Sequence, residues 1–314
     1  MILRRRPRRE RRPTPDLPPE RIRARVRRLR QRFVFQREMR LRLLSAAVLI
    51  PLVLFALWVG EVAFAGIVLV AALLVQEEWL RMIGASHRRG LVVAALLAMG
   101  VLTVVAATQP LWVALAVLLA CSGALAAGAA LGGRGETAAV APGWVAAGVL
   151  YSGAAVLAMV ELRKGADGFG AVVFVFLIAW ATDTAAFFVG RKVGGPRLWR
   201  SVSPSKTWSG AVGGLVAGAL CGALVLALLD APLSLAGLLA GALVAVASIG
   251  GDLLESAAKR RFSIKDAGTL IPGHGGVMDR VDGLIAAALV TMLIGWLAAS
   301  ETPASGFLTL VGRT

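Results

Sequence analysis

Between Leu43 and Ala299 the chain falls into nine apolar runs separated by short polar breaks, and this pattern limits the possible folds more than any single motif does. The runs lie at about Leu43–Val59, Val62–Val75, Leu91–Ala107, Leu111–Leu131, Val140–Val160, Phe169–Val189, Trp208–Leu229, Leu233–Ile249 and Leu284–Ala299. A helix needs roughly 20 apolar residues to cross the hydrocarbon core of a bilayer. With 58% hydrophobic and 17% charged residues, a soluble domain of this length is excluded. The expected fold is all-α, a polytopic integral membrane protein with about nine transmembrane helices and a cytoplasmic N-terminus. The second run is the shortest, so its crossing is left open.

Charge sets the expected orientation. The formal net charge is +16, but seventeen arginines against four acids place +13 of it in Met1–Arg42. That tail has too little apolar surface to fold alone, and no short apolar segment with a small-residue cleavage site follows its first charges. It is expected to be disordered and cytoplasmic, with Ile22–Phe35 either a basic helix on anionic lipid or plain solvated chain. Placing the N-terminus inside puts nearly every other Lys and Arg inside as well, in Gln76–Gly90, Gly132–Ala139, Gly190–Lys206 and Gly251–Asp282; Arg163, Lys164 and Arg313 are the exceptions. Retention of positive loops explains this distribution. Nucleic acid is not an expected partner, since no readout motif accompanies the charge. Trp58, Trp112, Trp208 and Trp296 near predicted ends fit an interfacial belt. The expected divisions are the tail 1–42, N-terminal helices 43–168, a catalytic region 169–299 and a C-terminal tail 300–314.

Cys121 and Cys221 lie inside apolar runs without metal-ligand spacing and read as small packing residues. Gly210, Gly214, Gly218 and Gly222 form a small-residue ridge that lets helices approach closely in lipid.

Two polar regions carry the chemistry. Asp183 sits well inside an apolar run, where a carboxylate costs several kcal/mol unless it is paired, hydrated or metal-bound. Ser203-Pro204-Ser205-Lys206-Thr207 follows, offering hydroxyls, amides and an ammonium at the start of a helix, a setting suited to phosphate. The second region, Gly251–Gly283, holds the acids Asp252, Glu255, Asp266, Asp279 and Asp282 and the bases Lys259, Arg260, Arg261, Lys265 and Arg280. If Gly251–Arg261 is helical, Asp252, Glu255, Ser256 and Lys259 share one face, and Asp279 and Asp282 repeat the i, i+3 relation. Carboxylates on two elements among bases suit a Mg²⁺ that arrives with a polyphosphate, while the bases hold phosphate oxygens. The competing reading is a solvated loop with an ordinary Glu255–Lys259 pair. Pro272-Gly273-His274-Gly275-Gly276 counts against it, because such a turn lets backbone approach a ligand.

Ser256-x-x-Lys259-Arg260-x₄-Lys265-Asp266-x-Gly268-x₂-Ile271-Pro272-x-His274-Gly275-Gly276-Val277-x-Asp279-Arg280-Val281-Asp282 resembles the signature of the phosphatidate cytidylyltransferase (CDP-diacylglycerol synthase) family. With the Asp183 and Ser203–Thr207 elements, the resemblance covers roughly Phe169–Ala299. Ala258 departs from it where a larger aliphatic residue is usual, and Ser205 and Ser209 replace a frequent lysine and glutamate. The resemblance implies transfer of CMP from CTP to phosphatidic acid, giving CDP-diacylglycerol and pyrophosphate, at the cytoplasmic side of a bacterial inner membrane. It implies Mg²⁺, alone or with a second cation, on Asp252 and Asp279, with Asp183, Glu255 and Asp282 as supporting ligands. Lys259 and Lys265 join the catalytic set; Ser203, Lys206, Thr207, Ser256, Arg260, His274, Gly275, Gly276 and Arg280 are expected to contact substrate. Membrane lipids and a second copy of the chain, in a homodimer, are the other expected partners. Two alternatives stand beside this reading: a CTP-dependent polyprenol or phytol kinase, and a transporter. The transporter is disfavoured because most of the charges cluster in cytoplasmic loops instead of spreading through midplane helices.

Overall fold

The computed structural model describes residues 44–132, 140–229, 232–268, 270, 275–298 and 301–312. Ten helices and one hairpin fill this part of the chain. Helix α1 (Leu44–Val59) is apolar but shorter than the eight long helices that follow it. It is followed by α2 (Glu61–Met82), α3 (Arg89–Thr108), α4 (Leu111–Leu131), α5 (Pro142–Arg163) and α6 (Gly168–Val193). Strands β1 (Arg197–Trp199) and β2 (Ser203–Thr207) precede α7 (Trp208–Leu228), α8 (Leu235–Arg261), α9 (Met278–Leu297) and α10 (Pro303–Leu310). Helices α2–α9 are all long and apolar enough to cross a membrane, and the chain is an integral membrane protein of the all-α class. The four tryptophans expected at an interface, Trp58, Trp112, Trp208 and Trp296, all expose their rings.

Helix α5 lies at the centre. It packs on α2, α3 and α4 on one side and on α9 and α6 on the other, and it joins two groups of helices. In the second group α6, α7 and α8 pack in sequence, and α8 packs on α9. The glycine ridge of α7 explains how closely they meet. Gly210, Gly214, Gly218 and Gly222 are all buried. A Cβ at Gly218 would come within 2.5 Å of Ala245 Cβ on α8 and 2.6 Å of Thr182 Oγ1 on α6. Gly218→Val should therefore force the three helices apart, at about 1–3 kcal/mol for overpacking a filled site. A lowered unfolding midpoint in detergent would show it; an unchanged midpoint would mean the helices do not meet this closely.

Among the boundaries that differ from the expectations, three bear on the site. Helix α2 does not stop at Val75 but runs 22 residues to Met82, so Gln76–Met82 is helix and not loop. Gln76 and Glu78 are buried there despite their polarity, because other helices enclose them. Helix α8 likewise continues through Gly251–Arg261 to a length of 27 residues, about 40 Å at 1.5 Å per residue. That exceeds a core of roughly 30 Å, so one rod carries both apolar and catalytic-type residues. Finally, Ser203–Thr207 is a strand paired antiparallel with β1, in register Arg197↔Thr207 and Trp199↔Ser203. Only Thr207 belongs to the helix start: its hydroxyl caps α7 by accepting the Gly210 amide at 3.1 Å.

The segment after Ser300 contains α10. A Thr302–Ser305 capping box starts it, and buried Phe307 meets Phe174 of α6 at 4.9 Å between ring centroids. Cys121 and Cys221 are free and half-buried.

Candidate active site

Helices α8 and α9 meet at glycines. A Cβ at Gly251 would lie 2.6 Å from the Asp282 carbonyl oxygen, and one at Gly283 would lie 2.7 Å from Ser248 Oγ. Each glycine adjoins an aspartate, so the close crossing brings side chains from both helices together. Ligand oxygens of Asp252, Glu255 and Asp282 lie within 4.8 Å of one another. Two like charges at that distance repel by about 3.5 kcal/mol at an effective dielectric of about 20. The Glu255 side chain is fully buried, and its Oε1 has no hydrogen-bond partner among the described residues. Three hard oxygen donors, one of them orphaned in the interior, form a group that can hold a metal ion.

Cations frame this cluster. Lys206 of β2 pairs with Asp252 Oδ2, tying the hairpin to α8. Lys259 Nζ bridges Glu255 Oε2 and Asp279 Oδ1, at 2.6 Å each. Ser256 donates to Asp252 Oδ1 at 3.4 Å. The shared helix face expected for Asp252, Glu255, Ser256 and Lys259 is thus present.

Asp279 is placed differently from the expectation that it would pair with Asp252. Besides Lys259, it accepts the amides of Ala267 (3.1 Å) and Gly276 (2.9 Å) through Oδ2, while Asp282, one turn on, joins Asp252. Gly275, in the left-handed region at φ +91°, turns the chain into this arrangement. Arg260 acts as a staple, its guanidinium donating to the carbonyls of Val202 (3.3 Å) and Ile264 (3.0 Å). Lys265 is exposed in the loop after α8, and Arg280 lies in the first turn of α9. His274 lies outside the described residues.

Beside the cluster a cavity of about 880 Å³ opens between α6, the hairpin, α7 and α8. Asp183, Arg191, Arg197, Lys206, Thr207 and Asp252 are among its walls, so three cations face it against two acids. Asp183 therefore lines the cavity without joining the tight acidic group. On the outer face of α6 and α7, next to Thr207 and Gly210, runs an almost wholly apolar groove of about 700 Å³ lined by Val189, Trp208, Val212, Val216 and Leu220.

Two residues were missed by the sequence reading. Tyr151 of α5, the only tyrosine in the chain, stacks on Trp79 at 5.4 Å and buries a hydroxyl with no partner among the described residues. Glu78 of α2 is 3% exposed and accepts the amides of Val277 (2.9 Å) and Met278 (2.8 Å) at the start of α9. The rule that singled out Asp183, an acid within an apolar helix, would have found Glu78 had α2 not been cut at Val75.

An acidic cluster that could hold a metal ion thus lies beside a cavity faced by three cations, in a protein of the integral membrane class. Residues 40–298 match the model of the cytidylyltransferase family, and the chain belongs to that family. The match runs well N-terminal of the signature and takes in α1–α5. Among curated proteins, it is similar to the phosphatidate cytidylyltransferase of Brucella suis, 41% identical over 160 residues, which is 50% of this chain and 59% of that protein. The Pseudomonas aeruginosa phosphatidate cytidylyltransferase is 46% identical over 147 residues, 46% of this chain and 54% of that one. That of Staphylococcus saprophyticus is 34% identical over 135 residues, 42% and 51% respectively. The aligned stretch thus spans somewhat more than half the length of these relatives.

Proposed function

We propose that the protein is a phosphatidate cytidylyltransferase, transferring CMP from CTP to phosphatidic acid to give CDP-diacylglycerol and pyrophosphate. One observation carries the reading within its family: the Asp252–Glu255–Asp282 cluster opens beside a cavity faced by Arg191, Arg197 and Lys206. In the reaction a phosphate oxygen of the lipid forms a bond to the α-phosphorus of CTP, and the bond to the bridging oxygen of the β-phosphate breaks. A phosphomonoester has its second pKa at about 6, so the attacking oxygen needs no strong base. The difficulty is bringing two anions together and accommodating the charge on the leaving pyrophosphate.

The residues divide that work. Asp252, Glu255 and Asp282 would hold Mg²⁺, which when bound offsets negative charge on the CTP phosphates and on the departing group. Lys206, Arg191 and Arg197 attract and orient phosphate in the cavity, with Ser203, Thr207 and Ser256 alongside. Lys259 keeps Glu255 and Asp279 in place, and Lys265 and Arg280 approach the phosphates from the loop and from α9. The apolar groove along α6 and α7 receives acyl chains while the headgroup enters the cavity. The distribution of Lys and Arg supports a cytoplasmic site, in a bacterial inner membrane. A homodimer belongs to the same proposal, and light scattering of the purified protein tests it.

The kinase alternative differs in which bond breaks. With phosphatidate and Mg²⁺ in detergent, CTP labelled in its α-phosphate should transfer label to lipid and CTP labelled in its γ-phosphate should not. Label from the γ-phosphate in the lipid would establish a kinase instead.

A further inference from the structure

We propose that Glu78 is a positioning residue of the active site: it caps the N-terminus of α9 from α2 and so fixes where Asp279 and Asp282 stand. The inference rests on the reading of those aspartates given above.

Helix α9 cannot cap itself, since its N-cap residue is Val277, whose side chain makes no capping bond. The first amides of a helix need acceptors from elsewhere. Glu78 supplies two: Oε1 accepts Val277 N and Oε2 accepts Met278 N. The preceding amide, Gly276 N, goes to Asp279 Oδ2. Three successive amides are thus taken by two carboxylates, one local and one 199 residues away in sequence. A negative charge at the positive end of a helix is favourable, which helps account for a carboxylate that is only 3% exposed.

The same arrangement assigns a purpose to two signature glycines that the chemistry leaves unexplained. A Cβ at Gly268 would meet Glu78 Oε1 at 2.5 Å, and one at Gly276 would meet Oε2 at 2.6 Å. The carboxylate slides between them because neither has a side chain. The three atoms nearest such a Cβ at Gly268 all belong to the Glu78 side chain. Its φ lies outside the left-handed region, so the Glu78 carboxylate is the obstacle that alanine meets first there.

Without the cap, the first turn of α9 would fray, drawing Asp279 from Lys259 and Asp282 from the cluster. The cavity cations Arg191, Arg197 and Lys206 stand on α6 and the hairpin, away from α9. Glu78→Ala should therefore lower kcat about 100-fold and raise KM for CTP by less than about tenfold, the smaller change reflecting Arg280 of α9, a split in keeping with a lost transition-state geometry. Glu78→Gln keeps the volume and one acceptor, so it should lose about tenfold, and it carries the test where the alanine variant fails to fold. Hydrogen exchange in detergent should show the Val277 and Met278 amides losing protection in these variants while amides of α7 keep theirs. Gly268→Ala should cost about tenfold in the normal background and nothing further beside Glu78→Ala. Unchanged kcat and protection in Glu78→Gln would overturn the proposal, as would a Gly268→Ala loss that persists without Glu78. Amide exchange is independent of the reaction: lost protection in a protein that transfers no CMP would leave the cap standing and remove the proposed activity.

Discussion

Asp252→Asn and Asp282→Asn are each expected to lower CMP transfer about 10³-fold, the scale of losing a main electrostatic group in a preorganised site. Their effects on stability should set them apart from Asp279→Asn. Asp282 stands within 4.8 Å of the Asp252 and Glu255 carboxylates, so neutralising it relieves the repulsion that Lys206 and Lys259 leave uncompensated. The Asp282→Asn protein should unfold at the same temperature as the parent or higher. Asp279 has the opposite surroundings: an ammonium at 2.6 Å and two backbone amides. Its asparagine variant should lose activity and unfold at a lower temperature. Measuring both quantities on both variants separates a group that holds a cation from one that holds the site's framework. Full activity in Asp282→Asn would remove it from the cation site.

The second large effect is expected at Lys259. Its side chain is only 11% exposed and bridges Glu255, which is fully buried, and Asp279. Removing one partner of a buried ion pair leaves an uncompensated charge, at about 3–5 kcal/mol. Lys259→Met should accordingly fold poorly as well as fail to turn over. Adding Glu255→Gln removes one of the two stranded charges and should restore part of the folded yield without restoring activity. A Lys259→Met protein with normal yield and unfolding midpoint would show that the bridge contributes little.

Much of this architecture is legible in the residues, for identifiable reasons. Apolar runs report spans because lipid leaves helices little alternative, and the α7 glycines report close packing through their i, i+4 spacing. The shared face of Asp252, Glu255, Ser256 and Lys259 follows from helix periodicity. What was illegible depends on contacts distant in sequence. Polarity marked Gln76–Met82 as loop, whereas Gln76, Glu78, Trp79, Leu80 and Met82 are buried among the helices and only Glu77 and Arg81 are exposed. Nothing in Ser203–Thr207 shows that it pairs with Arg197–Trp199, because a three-residue strand has no periodicity to read. The choice of Asp282 over Asp279 as neighbour of Asp252 turns on a single helical turn, set by where Gly251 and Gly283 cross. Arg260 looks like a phosphate ligand from its neighbours' charge, yet its geometry makes it a staple.

The bond between Glu78 and the start of α9 also has a temporal side. Synthesis proceeds at about 5–20 residues per second, so the 199 residues separating Glu78 from Val277 take on the order of 10–40 s to make. Throughout that interval α2 carries a carboxylate whose two acceptor sites await amides not yet synthesised. The acidic cluster is completed only after the last long helix has been inserted beside one of the first. A chain interrupted before α9 would hold the cationic cavity and the apolar groove, but not the assembled site. Catalytic competence would then report that α9 has been inserted beside α2 and α8.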